Sequence, residues 1–162
     1  MALERVISGG QSGVDRAALR AAMEVGLAAG GWCPPGRAAE DGPIPSCFPL
    51  RETPGERSPA APDIPRSLRT EWNVRDADAV LVLRPRDVPA GPGTAWTERC
   101  AARLGRPLLV CNPTDLEAAR AIVAWLRSLD VGTLDVAGPS ESTCPGIGDA
   151  AYTLLVHVLS TS

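Results

Sequence analysis

The chain has 162 residues, a formal net charge of −3, 44% hydrophobic residues and 22% charged residues. This length suits a single domain with its own hydrophobic core, and the negative charge argues against nucleic acid as the main partner. All 16 basic residues are arginine, so lysine Schiff-base chemistry is excluded and every cationic contact with an anion must come from a guanidinium group. The five cysteines show no CxxC spacing, and the sequence contains neither a leader-like segment nor an apolar run of membrane-spanning length. We therefore expect a cytoplasmic protein with reduced thiols and no membrane association.

Apolar periodicity predicts alternating strands and helices along the chain. Short buried strands separated by helices are typical of a parallel sheet covered on both faces. The sequence therefore predicts one α/β domain over residues 1–162, with three layers and a mostly parallel sheet of about five strands. In order, strands are predicted at about residues 3–8, 31–33, 79–83, 107–111 and 132–137, and helices at about 13–28, 66–77, 93–104, 115–128 (capped by Asp115) and 148–159.

Residues 34–65 carry nine of the sixteen prolines and interrupt this pattern. Proline removes a backbone donor and prevents long regular elements. The segment is also too long for a plain connector. We expect an ordered wall or lid over one edge of the sheet, with disorder of about residues 53–64 as the alternative.

The most informative stretch is VISGGQSGVD at residues 6–15, where a strand-like run meets an alanine-rich helix. Glycines allow a tight turn and close approach to backbone N–H groups, and a helix N-terminus favours an anion. The stretch matches neither the Walker A motif, which requires lysine, nor GxGxxG. It predicts a phosphate- or nucleotide-binding turn; a glycine-rich turn that binds nothing is the alternative. Its candidate ligand contacts are Gly9, Gly10, Gln11, Ser12, Gly13 and the nearby Arg16.

Loops rich in glycine or hydroxyl groups also follow most of the other predicted strands. Ligands of parallel α/β sheets bind beyond the carboxyl ends of the strands, so these loops together predict a site for an extended anion with several oxygens. In the helix at 66–77, Arg69 and Asn73 share one face, which either lines this site or is buried. The further candidate contacts are Trp32, Pro35, Gly36, Arg37, Arg69, Thr70, Asn73, Gly91, Gly93, Thr94, Asn112, Gly138, Ser140, Glu141 and Ser142.

Several strings resemble the molybdenum carrier protein family, a Rossmann-like group related to the LONELY GUY and lysine-decarboxylase-like nucleotide binders. They are ISGGQSGVDRAAL, GGWCPPGRAAEDGPIP, PLRET, RTEWNVRDADAVLV and VAGPSES, and they extend over nearly the whole chain. The resemblance implies a Rossmann-like carrier that binds and protects the molybdenum cofactor, a pterin with a dithiolene and a terminal phosphate. On this basis the glycine loops would hold the phosphate, Trp32 would stack on the pterin and Arg37 would contact oxo or phosphate oxygens. Phosphate, molybdate or tungstate could occupy the same site, and molybdoenzymes or cofactor-biosynthesis proteins would be the exchange partners.

The sequence is also compatible with two other functions. Residues 91–98 read GPGTAWTE, which resembles the GxGTxxE core of LONELY GUY-type phosphoribohydrolases and implies that Glu98 helps to cleave nucleoside 5′-monophosphates. A solvated helix carboxylate is the alternative reading of Glu98. A nucleotide-sensing binding protein is the third hypothesis.

The remaining reactive side chains are expected to be structural. The single histidine, His157, lies among Leu154, Leu155, Val158 and Leu159, which indicates a packing or interface role, so no metal site is expected. Cys33, Cys111 and Cys144 fall near the predicted ligand edge but are expected to be separate core residues. A homodimer or homotetramer is expected; the alanine-rich first helix and the apolar last helix are candidate surfaces for it, and the sequence does not say which surface is used.

Overall fold

The computed structural model describes residues 2–161 and forms an α/β fold with a parallel main sheet. No helix in the described part of the chain is long and apolar enough to cross a membrane. The strands are β1 (Arg5–Ile7), β2 (Ala28–Gly30), β3 (Trp32–Cys33), β4 (Arg51–Glu52), β5 (Ala79–Leu83), β6 (Leu108–Cys111) and β7 (Thr133–Ala137). The helices are α1 (Val14–Glu24), α2 (Ser67–Asp76), α3 (Pro92–Leu104), α4 (Ala118–Arg127) and α5 (Ile147–Thr161), and a short 3-10 turn spans Pro35–Arg37.

The main sheet has the strand order β2-β1-β7-β5-β6, and all its pairings are parallel. The last strand in sequence, β7, is inserted between β1 and β5. The predicted Rossmann-like three-layer α/β fold with about five parallel strands is therefore confirmed. Because β1, β7 and β5 are the three central strands, the loops that follow them meet at the middle of the carboxyl edge.

Helices cover both faces of the sheet and create two cores. The helices α1, α4 and α5 form one layer, whereas α2 and α3 form the other. The strand β5 shows the division directly, since Leu81 and Leu83 pack in the first core and Val80 and Val82 in the second. This alternation follows from the two-residue period of a strand, which sends successive side chains to opposite faces. The apolar faces of α1 and α5 are buried against each other within the chain.

The first helix and the second strand differ from the sequence prediction. The helix predicted to reach residue 28 ends at Glu24, because Gly26 adopts a left-handed φ of 83° and turns the chain. The second strand of the main sheet is then Ala28–Gly30. The predicted strand at 31–33 belongs instead to a separate two-stranded sheet, in which β3 pairs with β4. Gly31, with a φ of 124°, bends the chain between the two sheets.

The fourth helix begins later than predicted. The carboxylate of Asp115 accepts the backbone N–H of Glu117 at 2.9 Å and so closes a local turn. The helix itself begins at Ala118. Asp115 therefore shapes the turn before α4 rather than capping the helix.

The proline-rich segment folds against α1. Ile44 and Phe48 are buried in a small third core together with Leu19 and Cys33. Two buried apolar side chains are enough to hold a loop against a helix, since each contributes roughly 1.5–3 kcal/mol on full burial. The part of the segment around Ile44 and Phe48 thus forms a wall that packs against α1.

Candidate functional site

A cavity of about 240 Å³ lies at the carboxyl edge of the three central strands. Its walls are the loops after β1, β5 and β7, the start of α2 and two residues of the proline-rich segment, Glu40 and Pro65. This position agrees with the site predicted from the strand ends. The lining residues are Gln11, Asp15, Glu40, Pro65, Arg66, Arg69, Gly91, Pro92, Gly93, Thr94, Thr97, Ala137, Gly138, Pro139, Ser140 and Thr143.

The N-terminus of α3 opens into this inner cavity. Gly91 is its N-cap and makes no side-chain capping hydrogen bond, and Pro92 occupies the first turn. The backbone N–H groups of Gly93 and Thr94 have no acceptor within the helix, because the first turn of any α-helix lacks intrahelical partners. The positive end of the helix dipole adds to their attraction for an anion.

Arg69 supplies a guanidinium group to the opposite wall. Its Nη1 donates to Oδ2 of Asp15 at 3.2 Å, and both side chains are largely buried. Among the side chains of residues 2–161, Nε of Arg69 is the one buried nitrogen or oxygen without a hydrogen-bond partner. A buried, unsatisfied donor costs about 1–3 kcal/mol. Arg69 therefore keeps unused hydrogen-bonding capacity next to the cavity that it lines.

Two buried carboxyl groups lie behind Arg69. Burial raises the pKa of Asp15, although Arg69 and the N–H of Gln11 act in the opposite direction. Burial, reinforced by the charge of Asp15, raises the pKa of Asp135 well above its ordinary range. Where Asp15 is ionised, its pairing with Arg69 reduces the positive potential that the guanidinium gives to the cavity.

A second guanidinium group comes from Arg66. This residue is the N-cap of α2 and adopts a left-handed backbone with a φ of 59°. Its backbone N–H donates to Oε1 of Glu56 at 2.9 Å. The side chain of Arg66 lines the inner cavity, so two arginines and the N-terminus of α3 surround the same space.

The glycine-rich loop after β1 packs closely against other segments of the protein. A Cβ atom on Gly9 would collide with Arg69, one on Gly10 with Leu50, and one on Gly13 with the backbone at Pro139. Its N–H groups are also used internally. That of Gly10 donates weakly to Ser8 Oγ, and that of Gln11 donates to Asp15 at 3.3 Å.

These glycines allow the close approach of other parts of the protein, and Gln11 is the member of the loop that lines the inner cavity. A Gly10→Val change is consequently not a clean test of anion binding, because it would strain a left-handed residue with a φ of 76° and disturb Leu50.

A larger and more open cleft of about 620 Å³ adjoins the inner cavity. Glu40 lines both spaces. In the outer cleft Arg16 forms a two-pronged ion pair with Asp41, at 2.5 and 2.8 Å, and also donates to the carbonyl of Gly10. The predicted contacts Ser12, Gly13, Arg16, Glu141 and Ser142 line this outer cleft.

Arg37, predicted to contact ligand oxygens, is engaged with the proline-rich wall. Its guanidinium donates to the carbonyls of Pro45 at 2.7 Å and Phe48 at 3.0 Å, with longer contacts to those of Ile44 and Leu50. This arrangement satisfies the loop carbonyls and leaves the group outside both spaces. The neighbouring Gly36 N–H donates to Glu52 at 2.5 Å, and Pro35 begins the 3-10 turn.

Trp32 and Asn73 form a structural junction between β3 and α2. Asn73 accepts the backbone N–H of Trp32 at 2.8 Å and donates to its carbonyl at 3.0 Å. The indole of Trp32 meets Trp72 edge to face at 4.8 Å and donates to Asp76. Trp32 lines a separate cavity of about 150 Å³, together with Arg51, so the structure does not bring this indole to the inner cavity.

The other candidates divide according to the strand order. Gly91, Gly93, Thr94, Gly138 and Ser140 line the inner cavity, and they lie in loops that follow the central strands β5 and β7. Asn112 follows the edge strand β6, and its Oδ1 accepts the N–H and hydroxyl groups of Thr114 in a local turn. Thr70 is buried in α2 and lines neither space.

Glu98 is oriented towards Arg84 rather than towards the inner cavity. The two side chains are 18% and 23% exposed and join at 2.8 Å. The carboxylate is thus partly buried and paired with Arg84 rather than fully solvated. Cys33, Cys111 and Cys144 also line neither space, and no cluster of three or more His, Cys, Asp or Glu among residues 2–161 could hold a metal ion.

Sequence reasoning missed Asp15, Arg66, Thr97 and Asp135. Asp15 carries a usable signal, since it lies three and seven residues before Ala18 and Ala22, on the apolar face of α1. A carboxylate on such a face requires a buried partner. Arg66 carries none, because its role depends on a left-handed conformation at the helix start.

Comparison with known proteins agrees with the fold and the motifs. The model of the Circularly permutated YpsA SLOG family matches residues 6–159. The chain is also similar to a solved structure from Syntrophus aciditrophicus SB named "Putative molybdenum carrier protein", with 35% identity and a TM-score of 0.87, covering 98% of this chain and 96% of that chain. No curated protein matches the chain. The two matches confirm the family resemblance predicted from the sequence strings.

Proposed function

Because the chain belongs to the Circularly permutated YpsA SLOG family, we propose that it is a carrier that binds the molybdenum cofactor, or a related molybdenum-containing anion, and releases it unchanged. A solved structure 35% identical to the chain bears the name of a molybdenum carrier, which supports this class of function.

The observation that carries the proposal is that Arg69, whose buried Nε–H has no hydrogen-bond partner, lines a cavity that also receives the N-terminus of α3. A phosphate or oxo group there would accept from a guanidinium and from helix N–H groups at once. Hydrogen bonds to charged groups contribute about 1.5–3 kcal/mol each. Two or three of them support an affinity near micromolar, or about 8 kcal/mol, once the costs of ordering are included. Moderate affinity suits a carrier, which must release its cargo.

The dimensions of the two spaces suit the two ends of the cofactor. The inner cavity, at about 240 Å³, is smaller than the roughly 300–1,000 Å³ of pockets that enclose drug-sized ligands. We therefore assign the terminal phosphate or the oxyanion to the inner cavity and the pterin to the outer cleft of about 620 Å³. The protein would hold the cargo through its oxygen atoms, with Arg66 and Arg69 as the cationic contacts.

The position of Glu98 favours binding over the hydrolase alternative. In the hydrolase hypothesis this carboxylate must reach a glycosidic bond, yet here it pairs with Arg84 and lines neither space. The nucleotide-sensing hypothesis makes the same use of the inner cavity as the carrier does, and differs from it only in the identity of the ligand.

Anaerobic titration with isolated molybdenum cofactor tests the proposal. The wild type should bind saturably, slow oxidative decay of the cofactor and transfer it to a cofactor-free molybdoenzyme. Arg66→Asn removes one guanidinium but retains a residue that tolerates the left-handed backbone. It should weaken binding by roughly tenfold or more, the loss of one charged hydrogen bond. The matched control is Arg120→Gln on α4, whose side chain is 85% exposed and lies outside both spaces; it should bind like the wild type.

Two results would contradict the proposal. If binding is not saturable and the cofactor decays as fast as in buffer, the carrier function is wrong. If the cofactor binds but Arg66→Asn and Arg120→Gln have equal affinities, the function stands and the inner cavity is the wrong location.

A further inference from the structure

The carboxylate of Glu40 accepts hydrogen bonds from a set of donors on Ser12 and Ser142, two residues that line the outer cleft. The hydroxyl of Ser12 donates to its Oε1, and the hydroxyl of Ser142 donates to its Oε2. The backbone N–H of Ser142 also donates to Oε1, at 3.3 Å. Three donors from two separate loops therefore converge on one anionic group.

These donors stabilise negative charge at this point. The hydroxyls of Ser12 and Ser142 lower the pKa of Glu40 below its usual value. The loops are fixed to one another independently of Glu40, because the N–H of Glu141 donates to Ser12 Oγ at 3.1 Å and that of Val14 donates to the carbonyl of Pro139. The donor set would thus keep its shape if Glu40 moved away.

Glu40 also separates the inner cavity from the outer cleft, since it lines both. Its side chain is exposed, whereas the backbone around it is held by other contacts. Gln11 donates to the carbonyl of Ala38 at 2.9 Å, and Arg16 binds Asp41. The carboxylate can therefore rotate into solvent without loss of buried apolar contacts.

We propose that Glu40 is a gate that masks a second anion subsite, formed by Ser12 and Ser142, and that a phosphate group displaces it to join the two spaces. This inference does not depend on the proposed function, because any ligand with a phosphate group can displace Glu40. A phosphate offers more acceptor oxygens than a carboxylate, so it can satisfy the same three donors. While Glu40 is in place, its charge repels an entering anion. The gate therefore selects ligands that can accept all three hydrogen bonds in place of the carboxylate.

Titration with inorganic phosphate, followed by calorimetry, tests the gate. Glu40→Ala should bind phosphate about tenfold more tightly than the wild type, because the three donors are freed and one negative charge is removed. The gain should disappear in Glu40→Ala combined with Ser12→Ala and Ser142→Ala. The matched control is Glu52→Ala in the same segment; this carboxylate is also exposed and hydrogen-bonded, to the N–H of Gly36, but lines neither space. It should leave phosphate affinity unchanged.

The outcomes separate the gate from a structural role and from the proposed function. A folded Glu40→Ala protein with unchanged or weaker phosphate binding would overturn the gate, as would a gain that survives removal of both hydroxyls. If Glu40→Ala does not fold, Glu40→Gln serves instead, since the amide keeps the shape and removes the charge; it too must bind phosphate more tightly. If phosphate affinity rises in a serine-dependent way but the protein fails to bind the cofactor, the subsite is supported and the carrier function is rejected. If the protein binds the cofactor but phosphate affinity does not rise, the carrier function is supported and the subsite is rejected.

Discussion

Replacement of Arg37 should destabilise the protein rather than act first on ligand binding. Its guanidinium donates two short hydrogen bonds, to the carbonyls of Pro45 and Phe48, and two longer ones to those of Ile44 and Leu50. The wall that these bonds organise carries the buried side chains of the small core against α1.

The size of the effect follows from the two short bonds. A hydrogen bond to a charged group contributes about 1.5–3 kcal/mol, and the lower value applies here because the carbonyls can be rehydrated in the variant. Arg37→Ala should therefore lower the free energy of unfolding by about 3 kcal/mol. No further backbone strain is expected, since arginine and alanine are equally disfavoured at the left-handed φ of 52°.

Urea unfolding followed by circular dichroism measures this loss. The midpoint of Arg37→Ala should fall while its m-value stays close to that of the wild type. Arg120→Ala, which removes an exposed guanidinium on α4, should change stability by less than about 0.5 kcal/mol. If Arg37→Ala loses under about 1 kcal/mol but no longer binds anions, then Arg37 is the ligand contact that the sequence indicated and the structural role assigned to it is wrong.

Two further predictions concern buried or paired carboxyl groups. Because burial raises the pKa of Asp135, the folded state binds a proton at this carboxyl group more tightly than the unfolded state does. The free energy of unfolding should therefore fall as pH rises from about 4. Asp135→Asn should remove most of that decline and raise Tm at neutral pH. A thermal-unfolding series across this interval checks it, and parallel curves for the two proteins would contradict it. Glu98→Gln breaks the ion pair with Arg84 and should cost about 1–2 kcal/mol of stability, while neither variant nor wild type should release free base from nucleoside 5′-monophosphates. Base release by the wild type that Glu98→Gln abolishes, measured by chromatography, would restore the hydrolase hypothesis.

Local sequence signals predict most elements of this fold. The buried run at 79–83 and the alternating Leu134 and Val136 predict β5 and β7 because strand periodicity is local. The glycine and hydroxyl content of the loops after them predicts the inner cavity, since carboxyl ends of parallel strands lie at one edge. Local signals do not distinguish loops that follow edge strands from loops that follow central strands. That distinction depends on the insertion of β7 between β1 and β5, which is a property of long-range pairing.

The roles of individual polar side chains were harder to predict for a related reason. Arg37 and Trp32 have the chemistry of ligand contacts, but the structure pairs them with groups of the protein itself. The partners of Arg37 are carbonyls 7 to 13 residues further along the chain, and the partner of the Trp32 indole is Asp76, 44 residues away. A glycine in such a loop indicates that another group comes close to the backbone, yet the sequence does not say whether that group belongs to a ligand or to the protein itself. At Gly9 it is Arg69, 60 residues further along the chain, and this contact also directs the guanidinium that defines the inner cavity.

A crystal structure of the protein with tungstate, located by its anomalous scattering, tests the central claim most directly. The claim is that the inner cavity between Arg69, Arg66 and the N-terminus of α3 is the anion site. The account predicts one strong tungsten peak in this cavity, with an oxygen within hydrogen-bonding distance of Arg69 Nε and with Arg66 turned towards it. A cavity without tungsten, together with an ordered peak at a different surface of the protein, would contradict it.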